Sequence, residues 1–593
     1  MPKKDDYIFG IRNFNSSVLY LKTFIIITIL IIIARLAYLQ IVKYRYFSNI
    51  SKRNSIRLIK VFPPRGIIKT SDGVIYAKNI PTFSLYYTRN KKIDYSELKM
   101  LSYILHINIK QIKKNILSHR VYSTFLLEPD INRKQVFTLL SNKTKLPDVS
   151  VEVSPKRIYP HDAEKYAHIT GYISKITKKD LQDMPFYAPG ELIGKSGIEK
   201  KYNSVLMGKM GFKEIEVNAD GSKVKLLSET PPKKGDNIVL TINDKLQTFL
   251  YKLMGNYEGS IIVMRTDGSI VGMVSKPSFN PNDFVKGMSK KKWKDLKSKK
   301  GLFDIATQGV YPPGSLIKPF IALSALKEKV ITPSSVLDCP YSIKIGKNIY
   351  RDWKYGGFGK IKLERALESS SDVFFYQVGI KLGIKSIDTN LMQFGFGIKP
   401  KLFYNDKGGN LPSPLWKYKH LRQDWYLGDT IITSIGQGFF TVSPLQVAVA
   451  FSIIANNGIG YRPHLINGAK KISYFFKSRY YSDIKNALWL VVNGEYGTAS
   501  SAKVEGVNIC GKTGTSQVVP SSVYKKFRQE YKEKKLTKKQ LLKYTPHAWF
   551  ASFAPKKDPK IVVVVFLKHG QTSSNAAKKA KAIYIKLRDL KLI

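Results

Sequence analysis

The sequence predicts an α+β protein with three parts. These are an N-terminal transmembrane helix, a mixed α/β region, and a C-terminal domain built on an antiparallel sheet with a helical subdomain set into it. Three observations carry that prediction. One almost wholly apolar run, about Leu19 to Leu39, lies near the N-terminus. Beyond Lys234, β-branched runs at both ends of the segment bracket a middle of helical composition. Asp-Gly pairs between short apolar runs, at Asp72-Gly73 and Asp267-Gly268, mark antiparallel hairpins.

At 593 residues the chain has room for three or four domains, and 43% hydrophobic content is ordinary for a folded protein. The formal net charge of +55 is not ordinary. Basic residues are spread through every region without a zinc-finger or RNP-type pattern. They therefore read as a solvated basic surface and not as a nucleic-acid interface. Cys339 and Cys510 give no disulfide framework and no metal-ligand spacing.

The N-terminal elements follow in order. Residues 1–18 form a short tail and residues 19–42 an anchor. About 20 residues at roughly 1.5 Å each cover a hydrocarbon core of about 30 Å. Lys22 and Arg35 sit where long side chains snorkel to the interface. The run is long for a signal peptide and no small-x-small cleavage site follows it, so it reads as an uncleaved anchor. Lys3, Lys4 and Arg12 precede it, but Lys43, Arg45, Lys52, Arg53 and Arg57 follow. Taken alone, the positive-inside rule puts the C-terminal domain on the cytoplasmic side.

Residues 48–234 read as a mixed α/β pedestal. Pro63-Pro64-Arg65-Gly66-Ile67-Ile68 and Ser71–Ala77 predict a hairpin, Ser96–His106 and Asn132–Leu140 predict helices, and Gly194–Asn203 enters a short helix. His161 and His168 are isolated and read as structural. A turn-forming linker, Pro231–Asp236, closes this region. In residues 237–593, Asn237–Ile242 is strand-like and Asp244–Met254 helical. Ser260–Met264 pairs with Ile270–Val274, Ala548–Ala554 and Ile561–Leu567 read as late strands, and Asn575–Leu587 reads as a final helix. Lys290–Lys300 and Tyr524–Lys543 read as solvated helices or loops.

Three motifs of this last domain belong to one chemistry. Tyr311-Pro312-Pro313-Gly314 sets a turn before Ser315, and Lys318 follows three residues later on the same helical face. A serine hydroxyl needs a base, and a lysine serves only when burial or a second cation lowers its pKa. Lys512 is the natural second cation. In Ser370-Ser371-Asp372, Ser370 is placed to relay a proton and Asp372 to orient a lysine. Lys512-Thr513-Gly514-Thr515 needs an edge strand. There Gly514 admits a substrate backbone, the Thr515 N–H joins that of Ser315 in an oxyanion hole, and Lys512, Thr513 and Thr515 suit a terminal carboxylate.

The ordered set resembles that of the class B penicillin-binding proteins, over nearly the whole chain. Gly309–Ser315 with Lys318-Pro319 matches the nucleophile region. Arg351-Asp352-Trp353, Phe374-Phe375-Tyr376-Gln377, Trp549-Phe550, Phe553-Ala554-Pro555, Gly197-Ile198-Glu199 and Pro64-Arg65-Gly66 resemble the elongation-specific branch of that family. Asp372 stands where the division-specific branch usually has Asn. The resemblance implies a single-pass inner-membrane anchor, a non-catalytic pedestal and a periplasmic penicillin-binding/β-lactamase-like domain. That domain would be a serine-type D,D-transpeptidase of the D-Ala-D-Ala carboxypeptidase class. Its implied partners are peptidoglycan stem peptides, β-lactams, a SEDS-type glycosyltransferase and the elongation complex. The periplasmic substrate outweighs the charge rule for orientation.

Some relatives hold zinc near the second motif through two Asp, a His and a Cys. Asp338 and Asp352 fit the first two places, but Phe358 and Ser371 stand for the other two, so no metal and no cofactor is expected. The competing readings are a division-specific transpeptidase, a β-lactamase or D,D-carboxypeptidase, and a β-lactam sensor. No general-base Glu loop precedes Lys512, and the tail is too short to signal.

Overall fold

The computed structural model describes all residues except 1–3, 161, 184–186, 188–190, 218–222 and 469–470. Lys3 and His161 therefore lie outside the described residues. The described chain forms two compact units that do not follow a single cut along the sequence.

The first unit comprises Met1–Pro63, Pro81–Lys156 and Lys209–Lys234. It opens with the helix Lys4–Ala37, continued by a π-helical turn at Tyr38–Val42 and a helix at Tyr44–Ser55. Val18–Val42 is long and apolar enough to cross a membrane, and none of its most apolar window is buried by the protein. The Thr23 and Thr28 hydroxyls donate to the Leu19 and Phe24 carbonyls at 2.9 and 2.8 Å. Both polar groups are thus satisfied within the helix, as hydrocarbon requires. Strands Ile56–Val61, Gly211–Val217 and Lys223–Thr230 form an antiparallel sheet in that order. Helices Tyr95–Leu105, Ile109–Leu117 and Arg133–Ser141 carry a separate core around Leu98, Leu101, Ile112 and Ile116. Each starts on an Asp or Asn whose side chain accepts from the first turn, the local cause of its start.

The second unit joins Pro64–Ile80 and Arg157–Gly208 to Gly235–Ile593. Its centre is a five-stranded antiparallel sheet, in spatial order Ile270–Lys276, Gly259–Arg265, Ile561–Leu567, His547–Ala554 and Cys510–Ser516. The late strands are buried on both faces, and their alternation assigns each residue to a side. Val562, Val564 and Phe566 pack into a core with helices Lys318–Lys327, Asp372–Gln393 and Pro444–Ala455. Ile561, Val563, Val565 and Leu567 meet helices Asp244–Met254 and Ser573–Asp589. The expected strand Asn237–Ile242 shrinks to Ile238–Val239, because its parallel partner, Ile68–Lys69, is itself only two residues long.

A buried ion cluster ties the two early segments of this unit to each other. Glu199, fully buried, accepts from Arg65 Nη2 at 2.7 Å, from Arg157 Nε at 2.7 Å and from the Tyr159 hydroxyl at 3.2 Å. Burial alone would raise the Glu199 pKa. The charges and hydrogen bonds of Arg157 and Arg65 overcome it and hold the carboxyl below its ordinary range.

Candidate active site

Ser315 lies in a single 3-10 turn, Gly314–Ile317, which runs directly into the helix Lys318–Lys327. The expected helix start thus lies three residues later than Ser315. The turn is fixed from three sides. Gly314 adopts φ +56° and its N–H donates to the Gly436 carbonyl at 2.9 Å. The Trp549 indole donates to the Pro312 carbonyl at 3.1 Å. A Cβ on Gly314 would lie 2.7 Å from the Thr515 carbonyl oxygen, so only glycine lets this turn press on that strand.

The strand is Cys510–Ser516, and it forms an edge of the sheet as the third motif requires. A Cβ on Gly514 would lie 2.7 Å from the Pro313 carbonyl oxygen. The close approach that Gly514 permits here is that of the Ser315 turn. Thr513 is buried and its hydroxyl bonds that of Thr498 at 2.9 Å. Thr515 is exposed, and its carbonyl accepts from Gln437 Nε2 at 3.2 Å. Thr498 and Gln437 carry no signal in the sequence, since each is a lone polar residue far from the motifs.

Lys318 is wholly buried. Its Nζ donates to the Asp372 carboxylate at 2.6 Å, to the Ser370 carbonyl at 2.8 Å and to the Ser370 hydroxyl at 3.4 Å. Three motif residues thus meet at one ammonium. Asp372 opens the helix Asp372–Gln393, which delivers its carboxylate to Lys318, and Ser370 sits just before it at φ +58°. That φ is costly for a serine and is held by the surrounding contacts.

Lys512 is also wholly buried, but its Nζ has no hydrogen-bond partner among the described residues. Burial pushes its pKa well below the ordinary lysine value. The nearby Lys318 charge pushes the same way, and Asp372 opposes. The sequence assigns Lys512 as the cation that would depress Lys318, and Lys512 is itself depressed. The site thus holds one lysine paired with a carboxylate and one that resists protonation. Such a pair can pass a proton between its members.

The residues near the second motif do not fit a metal. Asp352 already accepts three hydrogen bonds, from Ser371 Oγ at 2.7 Å, Val373 N at 3.0 Å and Trp353 N at 2.8 Å. The adjacent Cys339 is buried, and burial pushes its thiol up to about 12. Among the described residues no group of three His, Cys, Asp or Glu is arranged to hold an ion.

Comparison with known proteins gives concordant matches. The family model for the penicillin-binding protein transpeptidase domain matches residues 259–587, and that for the penicillin-binding protein dimerisation domain matches residues 60–240. The chain is 34% identical over 577 residues to the peptidoglycan D,D-transpeptidase MrdA of Haemophilus influenzae, covering 92% of this chain and 87% of that one. To the Escherichia coli K12 protein of the same name it is 32% identical, covering 91% and 89%. The structure resembles penicillin-binding protein PBP2 of Helicobacter pylori, solved in complex with MreC. The TM-score is 0.80 at 28% identity, over 91% of this chain and all of that one. It also resembles Pseudomonas aeruginosa PBP2 in complex with WCK 5153, with a TM-score of 0.66 at 28% identity, over 89% and 96% of the two chains.

Proposed function

The chain belongs to the penicillin-binding protein transpeptidase family, and on that premise we propose that it is a peptidoglycan D,D-transpeptidase acting in cell elongation. The observation that carries the catalytic reading is the convergence of Ser370, Asp372 and Lys318 at one buried ammonium, close enough to Lys512 to depress its pKa.

Ser315 attacks the carbonyl of the penultimate D-Ala of a stem peptide. Its proton passes to Lys318 after Lys318 has yielded one to Lys512, with the Ser370 hydroxyl as relay. Asp372 keeps Lys318 oriented throughout. The Ser315 and Thr515 N–H groups receive the developing oxyanion, a contribution of about 3–4 kcal/mol per donor in such sites. Lys512, Thr513 and Thr515 hold the terminal carboxylate, and as the C–N bond to the terminal D-Ala breaks, Lys318 passes the serine proton through the Ser370 hydroxyl to the leaving amine. An amine of a second stem then attacks the ester and gives its proton to Lys318, and the proton returns to the Ser315 oxygen as that oxygen leaves and the new amide forms. β-Lactams acylate the same serine.

The anchor is read as a single pass through the inner membrane with residues 237–593 in the periplasm, where the substrate lies. Residues 48–234 are read as a non-catalytic pedestal. Together with the anchor, that pedestal is the surface for a SEDS-type glycosyltransferase. An MreC-type partner, as in the Helicobacter pylori complex, fits the same elongation role. No metal or cofactor enters the cycle.

The test is covalent labelling. Labelled penicillin should modify the purified full chain at Ser315, and Ser315→Ala should lose the label entirely. Label retained in that variant would remove the assignment. For the branch, depletion should round the cells; filaments would assign the chain to division instead.

A further inference from the structure

The second motif rests on a carboxylate that the reaction itself does not use. Asp352 is 5% exposed and lies at the end of a short hairpin, just beyond the strand Asn348–Arg351. Its Oδ2 accepts from the Ser371 hydroxyl and the Val373 N–H, and its Oδ1 from the Trp353 N–H. The Trp353 indole N–H in turn donates to the Ser369 carbonyl at 3.1 Å, although the side chain is largely exposed. Ser371 also accepts from the Phe374 N–H at 3.3 Å, capping the helix that begins at Asp372.

Asp352 and Trp353 therefore grip residues 369, 371 and 373, on both sides of Ser370 and Asp372. Ser370 is held between those grips at φ +58°, where its carbonyl and hydroxyl both face Lys318 Nζ. A serine stays in that conformation only when its neighbours over-determine it. We propose that Asp352, assisted by Trp353, is a positioning residue, a carboxylate clamp that sets Ser370 and Asp372 against Lys318 without a metal. The proposal rests on the catalytic reading of Ser370 and Asp372 given above.

The chemistry of the donor set explains why a clamp works here. A hydroxyl at 371 cannot supply the thiolate of a zinc site, but it donates a short hydrogen bond to the carboxylate directly. The charged acceptor is buried, so the bond is strong and leaves little freedom. Phe358 removes the imidazole and packs edge-on against Trp353, with ring centroids 5.8 Å apart. The position that would bind a metal instead supports the clamp's second arm.

The experiment uses the full chain in detergent and follows acylation by labelled penicillin over a range of drug concentrations. Asp352→Ala should slow the limiting acylation rate by about 10²-fold, the scale of loss when a reacting group is misplaced by about 1 Å. Asp352→Asn, which keeps one acceptor oxygen, should fall between it and the parent. The drug concentration giving half the limiting rate should not move, a split that general loss of folded protein would not produce. Trp353→Phe removes one donor at an exposed ring, so it stays informative if Asp352→Ala does not fold; it should slow acylation without lowering the unfolding midpoint. A strong chelator should leave the parent rate unchanged. Parent-like rates in both Asp352→Ala and Trp353→Phe would overturn the clamp. So would a chelator-induced loss that zinc restores. Failure of the underlying catalytic reading looks different, because label would then persist in Ser315→Ala while the Asp352 variants could still differ.

Discussion

Two buried ions in the second unit, Glu199 and Lys512, meet the same problem and solve it in opposite ways. Both are wholly buried. Glu199 is surrounded by Arg65, Arg157 and Tyr159, and its charge is held on despite burial. Lys512 has no hydrogen-bond partner among the described residues, and burial, together with the nearby Lys318 charge, pushes its pKa well down. The first arrangement ties chain segments 65, 157 and 199 together. The second stores a group out of its preferred state, which is what proton transfer at neutral pH requires. On the proposed mechanism, the paired carboxylate holds the frame and the unpaired amine serves the chemistry.

Substitutions sharpen that contrast. Lys512→Met should lower the acylation rate by about 10²–10⁴-fold, the range expected when a proton-transfer group is lost. Glu199→Ala strands two buried guanidinium groups and should destabilise the chain by about 3–5 kcal/mol, read from denaturant unfolding. The same Lys512→Met variant should be more stable than the parent at pH 7 by about 1–2 kcal/mol, because it removes an unsatisfied buried amine. An equal or lower unfolding free energy would break the comparison.

The smallest effect is in pH dependence, and its sign follows from the depressed pKa. The unfolded chain keeps Lys512 protonated to about 10.4, while the folded site releases that proton at lower pH. Between those limits the unfolded state binds more protons, so stability rises with pH. Lys512→Met should flatten that part of the rise. Glu199 acts in the other window. Its folded pKa is lowered, so its contribution is present above the unfolded value and is lost as pH falls through the folded one.

Much of this was legible in the sequence because it is local. The spacing Ser315 to Lys318, the tripeptide Ser370–Asp372 and the run Lys512–Thr515 each lie on one short element, and the fold brings these elements together. Hairpins at Asp72-Gly73 and Asp267-Gly268 appear because turn chemistry sits inside a few residues. The rest is non-local. Nothing near Arg65 or Arg157 announces Glu199, which lies 134 and 42 positions away along the chain. That link joins residues 64–80 to 157–208, and Tyr76 and Lys165 then tie these segments to Asp244 in 235–593. Thr498 and Gln437 reach the Lys512–Thr515 strand from separate loops in the same way. The division of labour between the lysines was also hidden. Order and spacing placed two amines in one site, but only three-dimensional packing gives Asp372 to Lys318 and leaves Lys512 bare.

The most direct test is the acylation rate of the parent enzyme by labelled penicillin as a function of pH. With the Lys512 pKa depressed by burial and by the nearby Lys318 charge, the rate should reach its plateau below the ordinary lysine range and fall on the acid side. A rate that keeps climbing toward about pH 10.4, the ordinary lysine value, would show that no lysine in the site is depressed and would contradict the account.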